Sequence, residues 1–511
     1  MQDDSRTANS IKNIITGFTG QAVQMLLGFV SRMVFVRCLS QDYLGVNGLF
    51  TNILSMLSLA ELGIGTAIVY ALYKPLADKD EEKLASLMHV YSIAYRSIGI
   101  IVAVVGLCLI PFLKFFIADP PDIQESLVVI YCLYLFNTAS SYFFTYKTSI
   151  LNADQKNYIV VGTSYIVTVI QTVAQIIILL NTRNYLLYLL CQILFGLTYN
   201  FIISWIADKR YPYIRKKSPK PLDNTTKKGL LENIRALIII KLSGVLVNST
   251  DNIIISAISG LATTGINSNY TLLTNTLNSI LNQIFSGITA SVGNLNATEK
   301  IERKIEMFNI LNLFNFWMYS WSAVTFIILA GDIVKICFGD SYVLPPSLSV
   351  IIALNYYTVG MQNTVWTYKN TMGLYKYGKF MVLVTGVLNI LLSILFGRKW
   401  GLFGILFATL VSRALTNIWY DPYAVYKHGL LISPIIYLKK YLTYILIGAG
   451  ILVLTWGACL LASGEGLVMF IIKLIICICI PNFILVMIFG KSKEFMYILH
   501  KVKKIITRRS S

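Results

Sequence analysis

Six polar residues, Ser268, Thr271, Asn275, Asn278, Asn282 and Thr289, recur at spacings of three, four and seven in an otherwise apolar stretch. On a helix those spacings return to one face. The result is a stripe of amides and hydroxyls that offers hydrogen bonds to a sugar or a phosphate. The stretch KLSGVLVNSTDNIII at 241–255 puts Lys241, Asn248 and Asn252 on one face, with Ser243, Gly244 and Asp251 beside them. Gln21, Gly28 and Arg32 share a face further upstream, flanked by Gln24 and Ser31, and Thr51, Ser55, Ser58 and Glu61 form a weaker fourth set. Arg96 and Arg413 add single cations inside apolar runs.

Arg32, Arg96, Lys241 and Arg413 outweigh Glu61 and Asp251, so the buried charge is net positive. A guanidinium presents a fork matched to phosphate oxygens, which points to an anionic cargo. Unpaired polar groups facing lipid cost several kcal/mol each. The stripes must therefore face one another, water or cargo, and two readings stand: a hydrated cleft that binds substrate, or hydrogen-bonded glue between helices. Glu61 and Asp251 likewise fit either ion-pair partners or groups coupling transport to protons or sodium.

The elements that position these residues are set by composition. The 511-residue chain is 56% hydrophobic and 13% charged, which excludes an ordinary soluble protein and implies an all-α polytopic membrane protein. At about 20 apolar residues per crossing, about 14 spans are expected: 14–36, 46–73, 86–117, 125–146, 157–180, 185–207, 233–257, 266–293, 305–330, 347–372, 379–397, 401–424, 441–462 and 467–490. β-barrel strands would be shorter and alternating. The polar, mixed-charge start MQDDSRTANSIKN is unlike a cleavable signal, so the first span should be retained.

Basic residues concentrate in the loops that lie inside when both termini are cytoplasmic, notably 208–229 and the tail HKVKKIITRRSS. Topology and attraction to anionic lipid then account for the net charge of +19, and no basic stripe suggests nucleic acid. Eight scattered cysteines without CxxC and three histidines at helix ends argue against a metal or a disulfide framework. No GxxxxGK[ST] sequence is present, which argues against ATP hydrolysis. No cofactor is expected.

Shifting the chain by 220 residues aligns Asn13-Ile14 with Asn233-Ile234, Gly45-Val46-Asn47 with Gly265-Ile266-Asn267, and Lys156 with Lys376; Lys114-x4-Asp119 meets Lys335-x4-Asp340 one residue later. An even number of spans separates the equivalents, so two six-helix lobes form a parallel repeat. The expected domains are an N-terminal lobe at 1–207, a basic cytoplasmic linker at 208–232, a C-terminal lobe at 233–428, and two additional helices with a basic tail at 429–511.

Residues 31–77 carry a recognisable pattern: Arg32, Arg37, Leu39, Tyr43, Gly45, Gly48-Leu49-Phe50, Glu61-Leu62-Gly63-x-Gly65 and Tyr73-Lys74-Pro75-Leu76. It resembles the opening of polysaccharide-transporter-family oligosaccharide flippases of the Wzx type, within the multidrug/oligosaccharidyl-lipid/polysaccharide superfamily. The resemblance implies a non-enzymatic flippase in the bacterial inner membrane. It would move undecaprenyl-pyrophosphate-linked oligosaccharide repeat units to the outer leaflet, for capsule, O-antigen or exopolysaccharide (lipopolysaccharide) assembly. Alternating access of the lobes is implied, with membrane lipid and polymerase or other assembly proteins as partners and one chain sufficing as a monomer. Twelve spans are usual in this branch, whereas related lipid II flippases have fourteen and shape a lipid-tail groove with the last two. Two other readings remain: an ion-coupled exporter of drugs or small cations, and a membrane enzyme of polysaccharide assembly.

Overall fold

The computed structural model describes residues 20–21, 23–58, 64–117, 121–154, 156–215, 250–374, 377–462, 464 and 466–509. Helices dominate and no strand occurs among the described residues. Eight described helices are long and apolar enough to cross a membrane. The chain divides into two compact units, Met1–Gly265 and Ile266–Ser511. Of the expected linker 208–232, only residues up to 215 are described, and these finish a helix and a 3-10 turn, Pro212–Arg215.

In the first unit, α1 (residues 23–38) turns sharply at Ser40 into α2 (Gln41–Leu57), followed by α3 (Ile64–Asp78) and α4 (Glu81–Leu109). Then come α5 (Leu127–Thr145), the short α6 (Thr148–Ala153), α7 (Asn157–Thr182) and α8 (Tyr185–Arg210). Of the expected span 46–73, the start lies on α2 and the end on α3, and residues 59–63 lie outside the described residues. At the start of α4, Asp80 accepts the Lys83 N–H while Glu81 and Glu82 occupy the first turn, a charge placement that suits the helix dipole. α4 packs on α5, α5 on α8, and α8 on α7.

α9 (Asp251–Thr298) runs from one unit into the other. Its helical course is broken once, at Gly260 with φ 86°, a left-handed conformation that a side chain would strain. Beside this break α2 and α9 come into backbone contact. A Cβ on Gly45 would lie 2.0 Å from the Leu261 carbonyl oxygen, and one on Gly265 would lie 2.4 Å from that of Gln41 and 3.0 Å from the Gly45 nitrogen. No side chain fits at either position.

The second unit is organised around the 38-residue α10 (Ile301–Phe338), against which α11 (Pro346–Met361), α15 (Ile435–Leu461), α16 (Leu467–Phe489) and α17 (Lys493–Arg509) all pack. α12 (Asn363–Thr371) continues α11 after a break at Gln362, so the expected span 347–372 is two helices. α13 (Lys379–Leu415) folds back at Gly401 (φ 56°), and α14 (Asn417–Ala424) follows. A hydrogen-bonded seam joins the two arms of α13: Thr385 donates to Thr416 at 2.8 Å and Asn389 to Thr409 at 2.9 Å.

The core of this unit is aromatic. Phe308 meets Tyr368, Tyr426 and Tyr437 edge-on, and Phe316 stacks on Tyr444 at 4.1 Å. Each such pair contributes about 0.5–1.5 kcal/mol beyond area burial. α16 runs antiparallel to α10 and is tied to it by three polar contacts along its length. Lys473 bonds Asp332 at 2.8 Å, Trp321 donates to the Cys477 carbonyl at 3.0 Å, and Trp317 donates to Asn482 at 2.7 Å.

Candidate functional site

The polar face of α1 keeps Gln24 exposed and Gln21 and Arg32 half-buried, and the space beside Gly28 is open. Arg32 lies close enough to Tyr134 and Tyr188 for its charge to act on both hydroxyls, and Ser31 lies beside Tyr188. Tyr134 donates to Asn47 Oδ1 at 2.9 Å and lies 3.0 Å from the Tyr185 hydroxyl, while Thr51 donates to the same Asn47 oxygen at 3.3 Å. Phe35 packs edge-on against Tyr185 and Tyr188 and fixes α1 to α8. The cation of Arg32 therefore sits beside a patch of tyrosine hydroxyls contributed by two helices, α5 and α8. Asn252 packs near Gly48, and the half-buried Asp251 occupies the first turn of α9, where a carboxylate meets the positive end of the helix dipole. Lys241, Asn248 and Glu61 lie outside the described residues.

Arg96 is exposed on α4, close enough to Tyr146 for its charge to act on that hydroxyl. Tyr146 follows Tyr134 by twelve residues along α5, about 18 Å at 1.5 Å per residue. The structure thus separates Arg96 from Arg32 and brings it to a different group. There Lys147 donates to Ser204 at 2.7 Å and to Asp208 at 2.8 Å, and Arg215 reaches the same carboxylate oxygen at 3.1 Å. The second unit holds a counterpart: Lys369 bonds Asp421 at 2.6 Å, and Trp366 donates to its other oxygen at 3.1 Å. Both lysines end a Thr-Tyr-Lys run, at 145–147 and 367–369. That signal was present in the sequence, but 222 residues apart, so a shift of 220 passes over it. Arg413 is half-buried on the second arm of α13.

On α9, Asn275 and Asn282 are exposed and Asn278 half-buried. Tyr319 of α10 donates to Asn278 Oδ1 at 3.2 Å. Asn363, the first residue of α12, donates to Asn282 Oδ1 at 3.0 Å and to the Tyr319 hydroxyl at 2.9 Å. The preceding Gln362 is buried, and its side-chain amide has no hydrogen-bond partner among the described residues. The stripe is thus joined by two residues that periodicity did not single out. For Asn363 the sequence signal was the Gln362-Asn363 pair interrupting an apolar span, whereas Tyr319 carried none.

A separate apolar cavity of about 410 Å3 opens between α10, α11, α13 and α15, lined by residues including Ala323, Leu354, Leu410 and Leu452. Four hydroxyl-bearing residues line it; Thr358 donates to the Asn355 carbonyl, while the hydroxyls of Ser320, Tyr357 and Tyr441 have no hydrogen-bond partner among the described residues. No group of three or more His, Cys, Asp or Glu side chains that could hold a metal comes together among the described residues. The arrangement offers hydrogen bonds, cations and an apolar recess, which is binding chemistry.

Solved structures share this fold. The lipid II flippase MurJ in an inward closed conformation superposes with a TM-score of 0.66 at 16% identity, over 93% of this chain and 98% of MurJ. An inward-facing multidrug resistance MATE family transporter of the MOP superfamily gives 0.57 at 13% identity, over 80% of this chain and 98% of that one. A single-residue variant of the Vibrio cholerae MATE transporter VcmN gives 0.55 at 12%, over 84% and 98%. No curated protein matches the sequence. With its apolar crossing helices, the chain is a multi-pass membrane protein of this transporter fold. The family model described as "Polysaccharide biosynthesis protein" matches residues 10–290, more than half of the sequence, and the chain belongs to that family.

Proposed function

We propose that the protein is a flippase that carries undecaprenyl-pyrophosphate-linked oligosaccharide repeat units across the bacterial inner membrane, for assembly of capsule, O-antigen or exopolysaccharide. The observation that carries this reading is the amide stripe of α9. Asn275 and Asn282 remain exposed on a helix of an apolar chain, and in contact with hydrocarbon each would cost several kcal/mol. A sugar or phosphate head passing along them recovers that energy as hydrogen bonds. Asn278, Asn282, Asn363 and Tyr319 would meet the sugar, with the buried amide of Gln362 beside them. Arg32 and Lys241 would neutralise the pyrophosphate, and the cavity bounded by α10, α11, α13 and α15 would accept part of the polyprenyl chain.

The similarity to MurJ, which is named a lipid II flippase, supports a lipid-linked cargo. Two parallel lobes rocking in alternation would expose the cargo first to one side and then to the other. The meeting of Gly45 with Gly265, which the 220-residue shift pairs, supports the repeat.

The test is reconstitution in liposomes carrying a short undecaprenyl-pyrophosphate-linked oligosaccharide, with the rate of sugar exposure to an external lectin or glycosidase as readout. Acceleration over empty liposomes, lost in Arg32→Ala and Lys241→Ala proteins of normal abundance, is the expected result. Wild-type rates in both variants would remove the cationic assignment. No acceleration, together with efflux of a small cationic dye, would replace the flippase with a cation exporter.

A further inference from the structure

At the far end of α10 the chain builds a second, polar cavity of about 510 Å3. Its walls carry Asp332, Lys335 and Asp340 from α10 and the turn after it, and Lys473 and Phe470 from α16. Lys473 pairs with Asp332 at 2.8 Å and Lys335 with Asp340 at 3.1 Å. The four charges of the described lining sum to zero. Nearby side chains are apolar and exposed: Leu467 is 64% and Val468 71% accessible, and Ile336, which also lines the cavity, 45%. The cavity thus lies at the edge of a surface suited to acyl chains.

We propose that this cavity binds the phosphoethanolamine headgroup of a membrane phospholipid. The phosphate would accept from Lys335 and Lys473, and the primary ammonium would donate to Asp332 and Asp340, which as carboxylates only accept. Two internal ion pairs are exchanged for two with the lipid, so no charge is left uncompensated. A phosphocholine head has no N–H to donate and is held by cages of aromatic faces, whereas Phe470 is a single ring. An anionic phosphoglycerol head would satisfy the lysines but leave two carboxylates facing it. The site therefore selects a zwitterion with a primary amine, on a surface apart from the amide stripe.

The experiment uses the full chain in nanodiscs of equal parts phosphatidylethanolamine, phosphatidylcholine and phosphatidylglycerol with identical acyl chains, and counts the lipids that remain bound in native mass spectrometry. The wild type is expected to retain phosphatidylethanolamine about tenfold over the other two. Lys335→Gln and Asp340→Asn leave the Lys473–Asp332 tie intact, and each should lower that retention about tenfold, the loss of one charge-assisted hydrogen bond. Inorganic phosphate and free phosphoethanolamine in excess should not displace the lipid. Equal retention of the three lipids, or wild-type retention in both variants, would overturn the proposal and leave two ion pairs that only fasten α16 to α10. Displacement by inorganic phosphate would overturn it too, by making the cavity a simple anion site.

Discussion

Replacing Lys369 by Met should destabilise the protein more than replacing Lys147, although both lysines end the same Thr-Tyr-Lys run and each pairs with an aspartate. The difference lies in what the aspartate keeps. Asp421 is 2% exposed, and once Lys369 is gone its one remaining hydrogen-bond partner among the described residues is the indole N–H of Trp366. A buried carboxylate stripped of its cation costs about 3–5 kcal/mol. For a unit of roughly 250 residues, at about 2–4 °C per kcal/mol, that is a fall of about 6–20 °C in melting temperature. Asp208 is 11% exposed and retains Arg215 at 3.1 Å after Lys147 is removed. The loss there is the charge-assisted hydrogen bond to Asp208, about 1.5–3 kcal/mol, or about half the larger shift, together with the contact to the Ser204 hydroxyl. Heating purified protein in detergent and following the surviving folded fraction by size-exclusion chromatography measures both. A double change, Lys369→Met with Asp421→Leu, should restore most of the loss, because an apolar pair of similar volume replaces a buried ion pair at little cost. Equal shifts for Lys369→Met and Lys147→Met, or no recovery in the double variant, would refute this reasoning.

Gly45→Val should prevent the protein from accumulating in the membrane, since a Cβ there would stand 2.0 Å from the Leu261 carbonyl oxygen. Gly28→Ala, with nothing within 4 Å of the new methyl, should leave abundance unchanged; fluorescence-detected chromatography of tagged protein compares the two. Asn363→Ala removes the donor shared by Asn282 and Tyr319. It should lower the flipping rate about tenfold at normal abundance, the equivalent of about 1.4 kcal/mol of hydrogen bonding to cargo. Tyr319→Phe should lower that rate less, because Asn363 keeps its bond to Asn282; equal rates for wild type and Asn363→Ala in the liposome assay would detach this group from transport.

Much of the helical plan was legible because 3.6-residue periodicity and apolar length are local properties of a chain. The α5, α7, α8, α15 and α16 spans fall within a few residues of expectation. Two of the joints were legible as well: Gly260 falls in the break expected between 257 and 266, and Gly401 directly follows the Arg398-Lys399 break expected after 397. Gln362 was harder to read, because it divides a span that hydropathy reads as continuous. Among candidate residues, the stripe on α9 followed from spacing alone, but its partners Tyr319 and Asn363 depend on how α10 and α12 approach it, which no local pattern encodes. Arg96 shows the converse: a charge inside an apolar run looked like part of the Arg32 group, and its true neighbour, Tyr146, is fixed by the packing of α4 on α5.

The aromatic core of the second unit also equips the protein with an internal optical gauge. The hydroxyls of Tyr357, Tyr437, Tyr441 and Tyr444 are buried without hydrogen-bond partners among the described residues, and two of these tyrosines, Tyr357 and Tyr441, line the apolar cavity. Tyrosine ultraviolet absorption and the paired ring bands of its Raman spectrum both respond to whether the phenol donates, accepts or does neither. A polar atom entering that recess would therefore change the spectrum of residues already in place, and a purely hydrocarbon guest would leave it nearly still. Difference spectra of Tyr441→Phe against the wild type would isolate the signal, so the recess can be followed during turnover without a dye or a label.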